Sequence, residues 1–105
     1  MNLLEETKRI LTVYGKTEND VLYVMSLPSR EGPSISFLWE QFAALADFEY
    51  DNGFGGAEIN LELKIVGSDW WLERSDYDGS EWWDFKTMPT KPAAGWPSEQ
   101  DLREG

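Results

Sequence analysis

The predicted fold rests on residues 58–87, EINLELKIVGSDWWLERSDYDGSEWWDFKT. The first eight residues of this stretch alternate apolar and polar side chains with the period of a half-buried strand, and the apolar ones are Ile59, Leu61, Leu63 and Ile65. Two more strand-like segments follow, at about 69–75 and 80–87, after the turn-forming pairs Gly67-Ser68 and Asp78-Gly79. The stretch therefore predicts three consecutive antiparallel strands.

Turn geometry and charge predict how these strands align. A two-residue turn at Gly67-Ser68 places Ile65 opposite Trp70 and Glu62 opposite Glu73. In the second hairpin, a two-residue turn would oppose two pairs of carboxylates, Glu73 with Asp84 and Asp76 with Glu81. Because opposed like charges are destabilising and cross-strand pairs contribute about 0.2–1 kcal/mol each, we expect a four-residue loop, 76–79, that pairs Arg74 with Glu81.

This alignment sorts the side chains onto two faces, because neighbouring strand residues point in opposite directions. The predicted core face carries Ile59, Leu61, Leu63, Ile65, Trp70, Leu72, Trp83 and Phe85. The other face carries Glu58, Glu62, Lys64, Asp69, Trp71, Glu73, Trp82, Asp84 and Lys86. Each double-Trp pair is therefore split between the core and an acidic outer face.

Outside residues 58–87, apolar spacing predicts helices over residues 2–14 and 37–48. The first is expected to stop at Gly15 and the second to be capped by Ser36. The apolar run 21–25 predicts a strand buried on both faces, and residues 28–33 a loop. We expect one α+β domain over residues 1–88, with two helices on one face of an antiparallel sheet that ends in a three-stranded meander. Residues 89–105 are expected to form a flexible acidic tail containing prolines.

The amino-acid composition excludes several classes of chemistry. The 105 residues include 20 acidic and nine basic side chains, for a net charge of −11, and neither His nor Cys. Without these two residues the chain lacks a thiol nucleophile, zinc–thiolate ligands and the commonest general base. We therefore expect no enzymatic activity and no cofactor. An anionic surface is repelled by nucleic acids and anionic lipids and attracts basic proteins.

The outer face contains the first candidate site, a partner-binding surface. Aromatic anchors surrounded by charge are typical of protein interfaces. We assign the anchors to Trp71 and Trp82 and the charge to Glu62, Glu73 and Asp84. The structural alternative is that Lys64, Lys86 or the tail with Trp96 covers the two tryptophans.

The second candidate site is a calcium loop over residues 47–58. Asp47, Glu49, Asp51 and Glu58 occupy positions 1, 3, 5 and 12 of a twelve-residue loop. The pattern departs from an EF-hand because position 6 is Asn52 and because a strand, not a helix, is predicted after Glu58. The alternative is a glycine-rich turn between a helix and a strand.

Three segments carry a resemblance to a group of proteins: residues 47–56, Asp69-Trp70-Trp71-Leu72-Glu73-Arg74 and Tyr77-Asp78-Gly79-Ser80-Glu81-Trp82-Trp83. Together they resemble small uncharacterised acidic proteins of phages and prophages of Gram-positive bacteria. The resemblance implies a phage setting, in which small acidic proteins inhibit host nucleases as anti-CRISPR or anti-restriction proteins.

Charge, aromatic anchors and resemblance together predict stoichiometric inhibition of a basic nucleic-acid-handling host protein, such as a nuclease or Cas effector. Eleven of the acidic residues and two of the basic ones lie between positions 47 and 84, a clustering that favours mimicry of a nucleic acid. We expect no direct nucleic-acid or membrane binding, a location in the bacterial cytoplasm, and a monomer or homodimer. The alternatives are a calcium-dependent interaction module, a self-associating structural protein and a carbohydrate-binding module.

Overall fold

The computed structural model describes residues 1–26, 32–51, 53 and 56–104. In chain order these residues form helix α1 (Leu3–Val13), strands β1 (Tyr23–Ser26) and β2 (Ile35–Phe37), helix α2 (Trp39–Leu45), strands β3 (Lys64–Val66), β4 (Trp70–Tyr77) and β5 (Ser80–Thr87), and the short helix α3 (Glu99–Leu102). The strands described form one antiparallel sheet in the order β2-β1-β3-β4-β5. The predicted α+β class is confirmed.

Helix α1 forms where the sequence predicts it. The side chain of Asn2 accepts a hydrogen bond from the Glu5 amide at 3.0 Å and caps the first turn. At the other end, Gly15 adopts a φ of 71°, the left-handed conformation that stops a helix. The indole Nε1 of Trp83 donates to Thr7 Oγ1 at 2.9 Å, so α1 lies directly against β5.

The predicted second helix, 37–48, is shorter than expected and begins later. Residues 35–37 form β2, in which Phe37 lies opposite Val24 of β1, so the prediction that Ser36 caps the helix is wrong. The β-branched and aromatic side chains of Ile35 and Phe37 favour this strand. Helix α2 instead follows Leu38, whose amide donates to the side chain of Gln41 at 2.9 Å.

The alternating segment 58–65 forms a strand only at its end, from Lys64, so this prediction is wrong for its first six residues. The amides of Glu58 and Ile59 donate to the carboxylate of Glu81, at 2.6 and 3.1 Å, instead of to a neighbouring strand. Asn60 then forms a turn: its carbonyl accepts from the Leu63 amide at 3.1 Å. The Glu81 side chain and this turn thus satisfy backbone groups that a strand would otherwise pair.

Both predicted hairpin alignments are wrong by two residues. Ile65 lies opposite Leu72 instead of Trp70. In the second hairpin Tyr77 lies opposite Ser80, so the turn is Asp78-Gly79 and the two carboxylate pairs are indeed opposed. Asp78 and Gly79 have φ of 51° and 87°, as a type I′ turn requires, and this turn matches the twist of the strands.

The division into two faces is nevertheless correct for β3, β4 and β5, because a shift of two residues leaves every side chain on its face. The inner face, which α1 contacts, carries Ile65, Trp70, Leu72, Arg74, Glu81, Trp83 and Phe85. The outer face carries Lys64, Val66, Trp71, Glu73, Ser75, Tyr77, Trp82, Asp84 and Lys86. In the 21–25 run, Val24 is buried but Leu22 is 60% exposed, so burial on both faces is wrong.

Two other predictions concern the loops and the tail. Of the predicted loop 28–33, residues 28–31 lie outside the described part of the chain. Residues 88–104 are exposed throughout and include α3. The Met88 amide donates to the Asp69 carbonyl at 2.8 Å, so the tail leaves the sheet from the end opposite to the Asp78-Gly79 turn.

The turn conformation gives a testable prediction. Replacing Asp78 by Ala should lower the free energy of unfolding by about 1–2 kcal/mol, the cost of a left-handed Ala. The matched control is Asp78→Asn, which removes the same charge but tolerates this conformation. Urea denaturation measures both. Equal destabilisation by the two substitutions would show that charge, not backbone conformation, makes Asp78 important.

Candidate functional site

The two predicted anchors lie on the outer face. Trp82 is 38% exposed and Trp71 is half-buried. Trp71 lies opposite Lys86, whereas Trp82 lies opposite Ser75. Trp96 is 97% exposed, so the tail does not cover this face in the structure. The outer face therefore presents aromatic surface to solvent.

Glu73 and Asp84 are directly opposite each other on this face, but neighbouring groups compensate each charge. Glu73 has Lys64 opposite it on β3, and its Oε1 lies 3.9 Å from the Lys86 ammonium. Asp84 accepts a short hydrogen bond from the Ser75 hydroxyl and another from Trp82 Nε1 at 2.9 Å. Asp84 thus orients the Trp82 ring, and of the two carboxylates Glu73 has an ion pair within the described residues.

Glu62 does not lie opposite Glu73, which contradicts the predicted like-charge pair. It lies outside the sheet, in the turn that Asn60 forms, where its amide donates to Asn60 Oδ1 at 2.9 Å. Lys64 occupies the position opposite Glu73. Repulsion between Glu62 and Glu73 is therefore no argument for a bound cation or basic partner.

Exposed negative charge is instead concentrated around the turn between β4 and β5. We name Asp51, Glu58, Asp76 and Asp78 the acidic tip. Asp76 lies opposite Glu81. The Glu81 carboxylate accepts a hydrogen bond from the Glu58 amide, and the Glu58 carboxylate accepts one from the Asp51 amide at 3.0 Å. Among the described residues, none of the four tip carboxylates forms an ion pair.

The carboxylates of the predicted calcium loop have separate partners. Asp47 accepts from the Asn2 amide side chain at 2.8 Å, and Glu49 lies 3.1 Å from the N-terminal ammonium. Asp51 accepts from the Gly53 amide at 3.1 Å. Loop residues 52, 54 and 55 lie outside the described part, and in the rest no group of three acidic side chains is arranged to hold a metal.

A second cluster of ionisable side chains is buried between α1 and the inner face, and we name Glu6, Tyr50, Arg74 and Glu81 the buried network. One guanidinium nitrogen of Arg74 lies 2.9 Å from Glu81 and 3.1 Å from the Tyr50 hydroxyl. Another lies 3.4 Å from both oxygens of Glu6. The Tyr50 hydroxyl donates a short hydrogen bond to Glu6.

Burial and hydrogen bonding determine the protonation of this network. Burial raises the pKa of the Tyr50 hydroxyl to about 12, and its hydrogen bond to Glu6 acts in the same direction. Burial alone would lower the pKa of Arg74, but its hydrogen bonds to Tyr50 and Glu81 and the charge of Glu6 raise it above its ordinary value. At neutral pH the network therefore holds a charged Arg74 and a neutral Tyr50.

Sequence reasoning missed the buried network, apart from pairing Arg74 with Glu81. Strand alternation does place Arg74 on the same face as Leu72, which is a signal that it points inward. Nothing local to the sequence connects it to Glu6, which is 68 residues away, or to Tyr50.

Comparison with known proteins returned no matching family model, no matching curated protein and no matching solved structure. Within the described residues, no helix is long and apolar enough to cross a membrane.

The buried network predicts a large loss of stability when its cation is removed. Arg74→Met leaves Glu6 and Glu81 buried without a counter-ion, which should lower the free energy of unfolding by about 3–5 kcal/mol. Lys86→Met is the matched control, because it breaks an exposed pair with Glu73 worth about 0–1 kcal/mol. Urea denaturation measures both variants. A similar small loss in each would mean that the buried network contributes little to stability.

The raised pKa of Tyr50 predicts that the stability of the fold decreases at alkaline pH. Its folded pKa of about 12 exceeds the unfolded value of about 10, so its contribution to stability is complete below pH 10 and is lost as the pH rises towards 12. Ultraviolet absorbance of tyrosinate should show one of the four tyrosines titrating at about pH 12, and Tyr50→Phe should remove that step. A pKa of Tyr50 equal to the ordinary tyrosine value of about 10 would contradict this prediction.

Proposed function

We propose that the protein works by binding a basic, nucleic-acid-handling protein of a bacterial host and blocking its access to nucleic acid. In this proposal the two helices cover the inner face of the C-terminal meander and leave its outer face open to a partner. The resemblance of the double-Trp hairpin to small phage proteins supports the same setting, the host cytoplasm.

One observation carries the proposal: exposed aromatic rings of the outer face, an aromatic strip, lie at the same end of the sheet as the acidic tip, whose Asp76 is on the inner side of β4. Tyr77, 77% exposed, points to the same face as Trp82 and is its diagonal neighbour across the hairpin. Trp71 lies further along the same face, beyond the Glu73–Asp84 pair. Carboxylates without ion pairs and exposed aromatic rings at one end of the sheet supply the two elements of an interface, steering charge and desolvated anchors.

The roles within this surface differ from those expected from the sequence. The acidic tip supplies the field that attracts a basic partner, since its carboxylates have no ion pairs with the described residues. Glu73 and Asp84 instead hold the surface in shape through Lys86, Ser75 and Trp82. A groove that binds phosphates along a nucleic acid backbone would accept a row of carboxylates by the same Coulomb attraction.

The test is affinity capture from host lysate with the purified protein, at about 0.1 M and about 1 M salt, between which the Debye length falls from about 10 to about 3 Å. We expect a basic nuclease or Cas effector to be recovered at low salt only. The captured protein should also lose its binding to labelled DNA or RNA when the acidic protein is added. A captured protein that binds nucleic acid equally well in the complex would contradict mimicry.

Two variants assign the binding to this surface. Trp71→Ala with Trp82→Ala should abolish capture and leave thermal stability nearly unchanged; unfolding of this variant would place both rings in the core instead. Asp76→Asn with Asp78→Asn should weaken capture at least tenfold, whereas Glu99→Gln with Glu104→Gln, which removes the same charge from the tail, should not. Equal weakening by both charge variants would mean that net charge, and not the acidic tip, attracts the partner.

A further inference from the structure

Strand β5 is a long, unpaired edge of the sheet. It has eight residues and pairs with β4 on one side, and no strand of the described residues pairs with its other side. The two-residue turn makes Tyr77 and Ser80 a hydrogen-bonded pair, so backbone groups of alternate residues from Ser80 to Lys86 point to β4. The N–H and C=O groups of Glu81, Trp83, Phe85 and Thr87 therefore point away from the sheet.

The edge is accessible at Phe85, which is half-buried, and at Thr87, which is exposed, whereas Glu81 and Trp83 are buried. A cavity of about 240 Å³ lies between α1 and β5, lined by Glu6, Arg9 and Ile10 of the helix and by Trp82 and Trp83 of the strand. One helical turn beyond Ile10, Val13 is 67% exposed. An unpaired strand edge is the arrangement to which extended segments add as an extra strand.

We propose that a second copy of this chain binds here, β5 antiparallel to β5, so that the two sheets join into one of ten strands. The charges along β5 select both the occupant and the alignment. With the twofold axis at Phe85, Asp84 lies opposite Lys86 of the partner subunit, and Lys86 lies opposite the partner's Asp84. The pairing thus forms two ion pairs across the axis, each between opposite charges on directly facing residues.

The neighbouring alignments lose this complementarity. An axis at Asp84 opposes two aspartates, an axis at Lys86 opposes two lysines, and an axis at Trp83 forms neither ion pair. On the inner face, the alignment at Phe85 brings two Phe85 rings together, each already stacked on Tyr14 with centroids 4.1 Å apart. The two α1 helices then lie on the same side of the joined sheet, with their exposed Val13 flanks facing each other.

Salt distinguishes this dimer from binding to a basic partner. Each copy has a net charge of −11, so raising the salt from about 0.1 M to about 1 M screens the repulsion between copies as well as the two ion pairs, and the dimer, which backbone hydrogen bonds also hold, should persist. The same change should release a basic partner. Sedimentation velocity across protein concentrations at both salts therefore tests self-pairing by itself, and either proposal can fail without the other.

Thr87→Pro is the diagnostic variant. The Thr87 N–H points to the partner strand, so proline removes an intermolecular donor and no hydrogen bond within the chain, and it does so twice in the symmetric dimer. We expect the dimer dissociation constant to rise about tenfold or more, with an unchanged melting temperature of the monomer. Thr87→Val keeps the amide and is the matched control.

A charge swap tests the alignment. Lys86→Asp opposes two aspartates at each pair and should abolish the dimer, whereas Asp84→Lys combined with Lys86→Asp restores opposite charges and should restore it. A chain that stays monomeric at both salts, or a dimer that Thr87→Pro and Lys86→Asp leave intact, would overturn the proposal. Circular dichroism of each variant is the control that the fold is retained.

Discussion

The structure depends on one buried cation, the guanidinium of Arg74. It lies on the inner face among the apolar core residues, 5% exposed, with its carbon 4.8 Å from the centre of the Trp83 ring. A charge in this position is stable only when it is paired and hydrogen-bonded, which requires Glu6 and Glu81 to be buried with it. Its Nε has no hydrogen-bond partner among the described residues, so the pairing depends on the two terminal nitrogens.

This requirement connects parts of the chain that are far apart in sequence. Glu6 ties α1 to the sheet, and Tyr50 joins the segment after α2 to the same cation. Glu81 uses its oxygens both for Arg74 and for the amides of residues 58 and 59. The segment before β3 therefore leaves the sheet although its alternation is typical of a strand, because a buried carboxylate binds its backbone.

Sequence patterns predicted the faces of the sheet better than its alignment. Side-chain alternation survives a shift of two residues, so Trp70 and Trp83 were correctly placed inside and Trp71 and Trp82 outside. The alignment depended on a repulsion between Asp76 and Glu81 that the folded chain avoids, because Glu81 turns inward to Arg74. Without that repulsion, the type I′ geometry of Asp78-Gly79 determines the register. The candidate site was predicted only in part. Side-chain alternation places its aromatic residues on the outer face, but the acidic tip depends on contacts between segments that are distant in sequence.

The two proposed interactions use the hairpin in compatible ways. Edge pairing extends the sheet in its own plane. It therefore leaves Trp71 and Tyr77 on the outer face free to contact another protein. An antiparallel dimer with its axis at Phe85 places the two Asp78-Gly79 turns at opposite ends, about 40 Å apart, because each Gly79 is six residues from the axis and a strand rises about 3.3 Å per residue. That separation is several times the Debye length of about 8 Å at physiological ionic strength, so the two acidic tips scarcely repel each other. Such a dimer would present two separated binding surfaces on one joined sheet, and a partner with two basic sites at that spacing would gain affinity from engaging both.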